Sequence, residues 1–209
     1  EAHFIRTFRT TFGETPHRYL QRRRVERAMF LLRETDRSVT EICFVGGYRM
    51  EAVEREYPQF TFRHNPEWET NNILVSLMYA EDLMDRPFVT TYSDILFTQD
   101  IVAGLIAATA EIALGIDTDW REHYRPRTQH PPHDAEKAIT RDGRVHRVHR
   151  SIPYEEATGE FIGVARFSAR GGELLREHYH QRRREFWDRP YREAQQFQKA
   201  YLIHLFQDM

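Results

Sequence analysis

The residues with the clearest chemical potential are Ser93 and Asp94, which follow the apolar run at residues 88–92. A short run rich in β-branched and aromatic side chains predicts a buried strand. A carboxylate directly after such a strand lies at the carboxyl edge of the sheet, where α/β folds bind ligands. A hard carboxylate there suits Mg²⁺ bound together with phosphate oxygens. Because Asp is also common in ordinary turns, the pattern alone leaves a structural role open.

Two further groups of residues have a chemical and a structural interpretation. His130, His133 and Asp134 lie in a Pro-rich stretch whose spacing could bind a transition metal. That stretch offers no obvious further ligand, so we expect a surface loop. Trp68 lies in the polar segment at residues 65–72. We expect it to pack at the rim of the core, and stacking on a base is the alternative.

The elements that must position these residues alternate along most of the chain. Alternating strand-like and helix-like runs predict an α/β fold with a mixed, mainly parallel sheet and crossover helices. Strands are predicted at residues 42–45, 60–63, 88–92, 112–116 and 161–167, with a hairpin at 137–148 that turns at Asp142-Gly143. Helices are predicted at residues 51–57, 72–83, 101–108, 173–186 and 193–206.

Residues 1–41 have a different pattern, which predicts a small all-helical segment. Phe4, Phe8 and Phe12 recur at helical spacing and form one apolar stripe, and Gly13 should end that helix. Thr15-Pro16 is typical of the start of a second helix. Residues 38–41 form a capping box that should start a third.

Composition narrows the class of protein. The chain has 209 residues and a formal net charge of −2, which indicates neither disorder nor a general affinity for nucleic acid. The single cysteine, Cys43, excludes an internal disulfide and fits a cytoplasmic location. The longest apolar run, residues 101–116, contains Glu111 and is too short to span a bilayer, so no membrane partner is expected. We expect both ends to be cut, because the first residue is not Met and the last helical pattern runs on to Met209.

The N-terminal run resembles the AraC/XylS-type helix-turn-helix domain over about residues 1–48. The matching positions are Phe4, Arg6, Phe8, Arg9, Phe12-Gly13, Thr15-Pro16, Tyr19, Arg24, Ala28, Leu31-Leu32, residues 38–42 and Gly47-Tyr48. The resemblance implies DNA binding by a recognition helix in the major groove, with Arg6 and Arg9 as candidate contacts. Arg22, Arg23 and Arg24 would meet phosphates, or form a solvated helix face.

The rest of the chain, about residues 42–209, resembles nucleotidyltransferases of the sugar-phosphate and phosphocholine type, with phosphonate-pathway cytidylyltransferases as the nearest relatives. The resemblance is carried by Gly47-Tyr48, Asn65-Pro66, residues 70–73, Ser76-Leu77, residues 92–94, 134–137 and 160–165. Such enzymes transfer a nucleoside monophosphate from an NTP such as CTP to a phosphorylated or phosphonylated acceptor.

The same resemblance implies roles for individual residues. Asp94 would hold Mg²⁺ against the α-phosphate and is the implied catalytic residue. Asn72 and Ser76 would position the nucleotide, and Glu160 and Gly163 would line the acceptor side. Catalysis would then consist mainly of alignment and charge neutralisation.

Two departures from the nucleotidyltransferase pattern limit the expected activity. The glycine-rich triphosphate loop should precede residue 42, where AraC-like sequence stands, and the second metal carboxylate should follow Met209. We therefore expect a chimera of two segments, 1–41 and 42–209, with weak Mg²⁺-nucleotide binding and impaired turnover. The alternatives are a transcription regulator that binds DNA through residues 1–48, and a fragment with no selected activity.

Overall fold

The computed structural model describes residues 2–16, 19, 41–95, 97–127 and 131–209. The helices of this described part are α1 Ala2–Phe12, α2 Met50–Glu56, α3 Ile73–Met78, α4 Gln99–Ala107, α5 Trp120–Tyr124, α6 Ala169–Phe186 and α7 Leu202–Phe206. Its strands are β1 Cys43–Gly46, β2 Thr61–His64, β3 Phe88–Thr91, β4 Ile112–Asp117, β5 Lys137–Arg141, β6 Arg144–Val148 and β7 Gly159–Phe167.

The strands form two sheets. β1 and β2 pair in parallel, with Cys43 opposite Thr61, and α2 is the crossover between them. In the second sheet β7 is central, and β3, β4 and β5 all pair with it antiparallel. β6 pairs with the outer edge of β5.

The directions of the paired strands differ from the sequence-based expectation. The α/β class and the helical segment that precedes the sheets are confirmed, and the described strands form one parallel and one antiparallel sheet. Parallel pairing within the described residues is nevertheless confined to β1 and β2. β3, β4 and β5 share one direction, but β7 lies between them and runs against all three. A strand's own sequence carries no signal for which neighbour will pair with it.

The two faces of β7 carry different parts of the core. Phe161, Ala165 and Phe167 face one side and pack in the main apolar cluster with side chains of α3, α6 and α7. Val164 and Ile162 face the other side and pack against Val102 and Leu105 of α4. Successive side chains on a strand point to opposite faces, so both faces of this strand are covered by helices.

Some local predictions are confirmed and others are wrong. The hairpin turns at Asp142 and Gly143, whose φ angles of 51° and 72° both lie in the left-handed region. The helix predicted over residues 72–83 ends at Met78, and a separate 3₁₀ turn covers Glu81–Leu83. The helix predicted over residues 193–206 is wrong except for α7. A 3₁₀ turn at Phe197–Lys199 stands there instead, and it leaves Phe197 and Ala200 fully buried. Tertiary packing therefore overrides the helical pattern of the sequence.

The N-terminal helix forms as predicted. α1 carries Phe4, Phe8 and Phe12 in one stripe, and Tyr19 packs its ring 5.4 Å from that of Phe8. Gly13 follows α1 with a φ of 74°, a conformation that favours glycine. The predicted second helix and the capping box at residues 38–41 fall mostly outside the described residues.

Candidate functional site

The candidate site lies where β3 and β5 meet the same edge of β7. Thr91 of β3 pairs with Val164, and Lys137 of β5 pairs with Glu160. β4 pairs with both ends of this stretch of β7, so it must occupy the opposite edge. β3 and β5 therefore pair with different stretches of this edge, separated by residues 161–163 of β7. We call this place the β3–β5 junction. Two backbone bonds border it, from Tyr92 N to Gly163 O at 3.0 Å and from Phe161 N to Glu136 O at 2.8 Å.

Asp94 is exposed in the turn that follows β3, two residues beyond the junction residue Tyr92. The prediction of a carboxylate just past the end of a strand agrees with this position. An exposed carboxylate beside a polar junction fits Mg²⁺, which typically takes one or two protein carboxylates and completes its shell with phosphates and water. Among the described residues, no group of three His, Cys, Asp or Glu side chains is placed to form a protein cage around a metal ion.

Gly163 allows the Tyr92 ring to lie against the backbone of β7. Its φ is +75°, and a Cβ added there would come within 2.4 Å of that ring. Burial raises the pKa of Tyr92, and the nearby Glu136 carboxylate raises it further. A glycine in this conformation thus makes room at the junction for the aromatic side chain that precedes Asp94.

Glu136 and Arg150 form an ion pair at the other end of the junction, in which the Glu136 side chain is buried and the Arg150 side chain is partly exposed. Glu136 is 7% exposed, and its Oε1 accepts a hydrogen bond from Arg150 Nη2 at 3.1 Å. The Arg150 guanidinium also lies 4.1 Å from the centroid of the Tyr201 ring. Burial raises the pKa of Glu136 to about 7, and the positive charge of Arg150 opposes that rise.

Three buried atoms at the junction are left without a hydrogen-bond partner in the described part of the chain: Tyr92 Oη, Glu136 Oε2 and Arg150 Nε. Buried polar groups are nearly always satisfied, so this set points to a missing polar partner. The sequence reasoning did not assign these residues a role. Tyr92 and Glu136 belong to the stretches 92–94 and 134–137 that carry the nucleotidyltransferase resemblance, but nothing in the sequence pointed to Arg150.

Glu160 lies at the start of β7, opposite both Lys137 and Asp117. Its Oε1 accepts a hydrogen bond from Tyr124 Oη at 2.6 Å. Burial raises the pKa of Glu160, whereas this hydrogen bond opposes the rise. Lys137 is buried, and its pKa is lowered mainly by that burial. Glu160 therefore lies at the end of β7 that pairs with β5, close enough to Glu136 to raise the pKa of that carboxyl, and Gly163 lies in the middle of β7.

Asn72 and Ser76, the predicted nucleotide residues, make hydrogen bonds within the chain. Asn72 precedes α3, and its Oδ1 accepts a hydrogen bond from Ile73 N at 2.8 Å. Its Nδ2 donates to Lys199 O at 3.3 Å. Ser76 Oγ accepts from Asn65 Nδ2 at 2.6 Å. Both side chains are half-buried, so contact with a ligand requires their remaining exposed atoms.

The structure describes only some of the predicted DNA contacts and only part of the His-rich stretch. Arg6 and Arg9 are exposed on α1. Arg22, Arg23 and Arg24 lie outside the described residues, as does His130. His133 and Asp134 are an exposed pair, with Nε2 and Oδ1 3.3 Å apart. None of the helices in the described ranges has the length and apolarity to cross a membrane.

Comparison with known proteins first identifies the class of each part. A family model described as a helix-turn-helix domain matches residues 1–57. The fold resembles that of solved nucleotidyltransferases. An inositol-1-phosphate CTP transferase from T. maritima gives a TM-score of 0.61 at 16% identity, covering 88% of this chain and 67% of that one. A putative glucose-1-phosphate thymidylyltransferase from Bacillus anthracis gives 0.62 at 12% identity, covering 87% and 68%. At these identities the likeness establishes the fold alone.

A curated relative adds sequence similarity. The chain is 26% identical over 140 residues to a CTP:phosphoglutamine cytidylyltransferase from Campylobacter jejuni, with 62% of this chain covered. It spans 55% of that relative's length. The chain therefore has two parts, as expected: a helix-turn-helix match at its N-terminus and a nucleotidyltransferase-like fold over the rest.

The two matches overlap, and the structure favours one of them there. The helix-turn-helix match extends to residue 57, but Cys43–Gly46 forms β1, and Met50–Glu56 forms the crossover helix α2. These elements pair and pack with β2 as a β-α-β unit. Residues 43–56 therefore form a β-α-β unit with β2 within the stretch that the helix-turn-helix model matches.

Proposed function

We propose that this chain binds a nucleoside triphosphate with Mg²⁺ and acts in transfer of the nucleoside monophosphate to a small phosphorylated or phosphonylated acceptor. The observation that carries the proposal is the β3–β5 junction. In the described part of the chain, one buried atom each of Tyr92, Glu136 and Arg150 lacks a hydrogen-bond partner there. The exposed carboxylate of Asp94 lies two residues beyond Tyr92. The sequence similarity to a cytidylyltransferase agrees with this chemistry.

The proposed roles follow the position of each residue. Asp94 would bind Mg²⁺, which when present neutralises charge on the phosphates and holds them for in-line attack. Asn72 and Ser76, at the start of α3, would position the nucleotide. Turnover would be limited if no glycine-rich loop is available to hold the triphosphate, because such loops supply a nest of backbone N–H groups.

The acceptor side would be formed by Glu160, Gly163 and the three unpartnered atoms of Tyr92, Glu136 and Arg150. Tyr92 Oη and Arg150 Nε can donate hydrogen bonds, whereas ionised Glu136 Oε2 can accept them. A small acceptor that carries both an anionic group and an N–H or O–H donor would satisfy this set. The named substrate of the curated relative, phosphoglutamine, has groups of both kinds.

We further propose that the functional boundary lies near residue 42, with residues 1–41 as a helical segment and 42–209 as the catalytic-type domain. DNA binding through residues 1–48, with Arg6 and Arg9 as contacts, has weaker support. Residues 43–46 pair as β1 within the nucleotidyltransferase-like part and so are unavailable for a helical DNA-binding unit.

Replacing Asp94 with Ala should abolish most Mg²⁺-dependent CTP binding, because a direct metal ligand is lost. We expect affinity in the presence of Mg²⁺ to fall by about 10-fold or more, the range seen when groups that support a bound metal are removed. Equilibrium dialysis of CTP with and without Mg²⁺ measures this effect.

Asp85→Ala is the matched control for that experiment. Asp85 is an exposed Asp in the turn before β3, whereas Asp94 lies in the turn after it. The control should bind CTP like the unmodified protein. Equal binding by the Asp94 variant and the unmodified protein would remove the metal site from the proposal.

A further inference from the structure

Two exposed aromatic rings lie at the carboxyl ends of the parallel pair β1 and β2. Tyr48 follows β1 and is 64% exposed, and Trp68 follows β2 and is 41% exposed. Their ring centroids are 5.3 Å apart. The Arg49 guanidinium lies 5.2 Å from the centroid of the Tyr48 ring. We call Tyr48, Arg49 and Trp68 the aromatic platform.

The loop that presents Trp68 is held by a buried hydrogen-bond network. Asn65 is fully buried, and its Nδ2 donates to Asn71 Oδ1 at 2.8 Å and to Ser76 Oγ at 2.6 Å. Its Oδ1 accepts from Glu67 N and from Asn71 Nδ2, each at 3.0 Å. The loop that carries the partly exposed Trp68 is therefore held in place by polar bonds.

Gly47 lets Trp68 lie directly against the end of β1. A Cβ added at Gly47 would come within 2.3 Å of Trp68 Cδ1. Arg49 has a φ of 50° and a ψ of 37°, in the left-handed region that non-glycine residues seldom adopt. Backbone strain of this kind clusters at ligand-binding positions. The missing Cβ of Gly47 and the left-handed backbone of Arg49 thus both shape this surface.

The surroundings of the aromatic platform favour a nucleotide as its occupant. The carboxyl ends of parallel strands are the usual ligand side of α/β folds. Arg49 is a cation within the platform, and Lys199 Nζ lies 3.3 Å from the carbonyl oxygen of Glu69 in the Trp68 loop. These charges suit the phosphates of a nucleotide whose base stacks on the rings. The acidic Glu67 in the same loop accepts a hydrogen bond from Tyr79 Oη at 3.0 Å.

We propose that the aromatic platform stacks the base of the nucleoside triphosphate, with Trp68 as the principal contact and Arg49 as a cationic neighbour. This inference rests on the proposed function, to which it adds a base-binding surface. Stacking depends on the π-face of a base, so the platform tolerates different bases, with CTP as the nucleotide to test.

Replacing Trp68 with Ala should weaken CTP binding by about 5- to 100-fold, the range of one base–aromatic stack. Binding of inorganic tripolyphosphate, which has no base, should not change. Trp68→Phe should retain most of the CTP affinity because a π-face remains. CTP should also quench tryptophan fluorescence in the unmodified protein and not in the Trp68 variants, since Trp120 is fully buried and Trp187, at the end of α6, is not part of the platform.

Trp187→Phe is the matched control, because Trp187 also lies beside an arginine, with Arg183 4.6 Å from its ring centroid. It should bind CTP normally. Gly47→Ala keeps the Trp68 ring but displaces it, and should lower CTP affinity without affecting tripolyphosphate. Circular dichroism establishes whether each variant is folded, and the Gly47 variant tests the proposal if Trp68→Ala is not.

The outcomes separate this inference from the proposed function. If folded Trp68→Ala and Gly47→Ala bind CTP like the unmodified protein, or lose tripolyphosphate binding equally, base stacking is overturned while nucleotide binding stands. Quenching by a single-stranded oligonucleotide but not by CTP also overturns it. Binding of neither CTP nor tripolyphosphate by the unmodified protein overturns both proposals.

Discussion

Replacing Glu136 with Gln should stabilise the protein at pH 8 by about 3 kcal/mol and leave its stability at pH 4 nearly unchanged. Burial raises the pKa of Glu136 from 4.5 to about 7. Between these values the folded state holds a proton that the unfolded state releases, so the contribution of Glu136 to stability falls as pH rises. A pKa difference of about 2.5 units at ~1.4 kcal/mol per unit gives the expected size. Gln keeps the shape of the neutral acid without the buried charge.

The unfolding free energy of the Glu136 variant must be compared with that of the unmodified protein at each pH. This is because a second buried group changes stability with pH in the opposite direction. The pKa of His204 is lowered to about 4, mainly by burial. Between about pH 4 and 6.5 the unfolded state therefore binds more protons at His204, and that contribution to stability rises with pH. The two effects partly cancel in the unmodified protein. Subtracting its unfolding free energy from that of the variant isolates Glu136.

Urea unfolding at several values between pH 4 and 8 measures the difference. Glu155→Gln is the control, since Glu155 is exposed in the loop after β6, and it should leave the unfolding free energy unchanged at every pH. A constant difference between the Glu136 variant and the unmodified protein across this range would contradict the buried, titrating carboxylate. It would also weaken the case for a polar acceptor site at the junction.

Replacing Gly171 with Ala should destabilise the protein by about 3 kcal/mol or more. Gly171 lies in the first turn of α6, where helix propensity alone predicts a gain of up to ~1 kcal/mol from Ala. A Cβ there would come within 2.1 Å of the carbonyl oxygen of Glu111. That oxygen accepts a hydrogen bond from Ser168 N at 2.8 Å, so it cannot move away without breaking the start of the helix. Overpacking against backbone costs more than helix propensity returns.

Gly104→Ala is the matched control, because Gly104 lies inside α4 and a Cβ there would meet nothing within 4 Å. It should raise stability by about 0.5–1 kcal/mol. For a chain of this size, the Gly171 change should lower Tm by roughly 6–12 °C, and the Gly104 change should raise it slightly. Thermal unfolding followed by circular dichroism gives both values. Equal shifts for the two variants would contradict the close approach of α6 to Glu111.

One short segment was enough to predict a strand and the position of the carboxylate that follows it, whereas the role of that carboxylate stays a prediction. The run at residues 88–92 indicated a strand, and Asp94 follows it exposed, as the pattern predicted. The roles given to Asn72, Ser76, Glu160 and Gly163 came from resemblance and remain predictions. Tyr92, Glu136 and Arg150 received no role, because their shared feature is burial without a partner. That feature arises only when three distant segments pack together.

Local sequence pattern was enough to predict the apolar stripe of α1 and its end at Gly13, the hairpin turn at Asp142-Gly143, and the alternation of strands and helices. These depend on side-chain spacing and on residues suited to left-handed conformations, both of which are local. The three-dimensional contacts were needed to show that β7 lies between β3 and β4, and that the strand predicted at residues 42–45 pairs in parallel with β2 inside the helix-turn-helix match. Strand pairing and burial depend on contacts between residues far apart in the chain, and no local pattern specifies them.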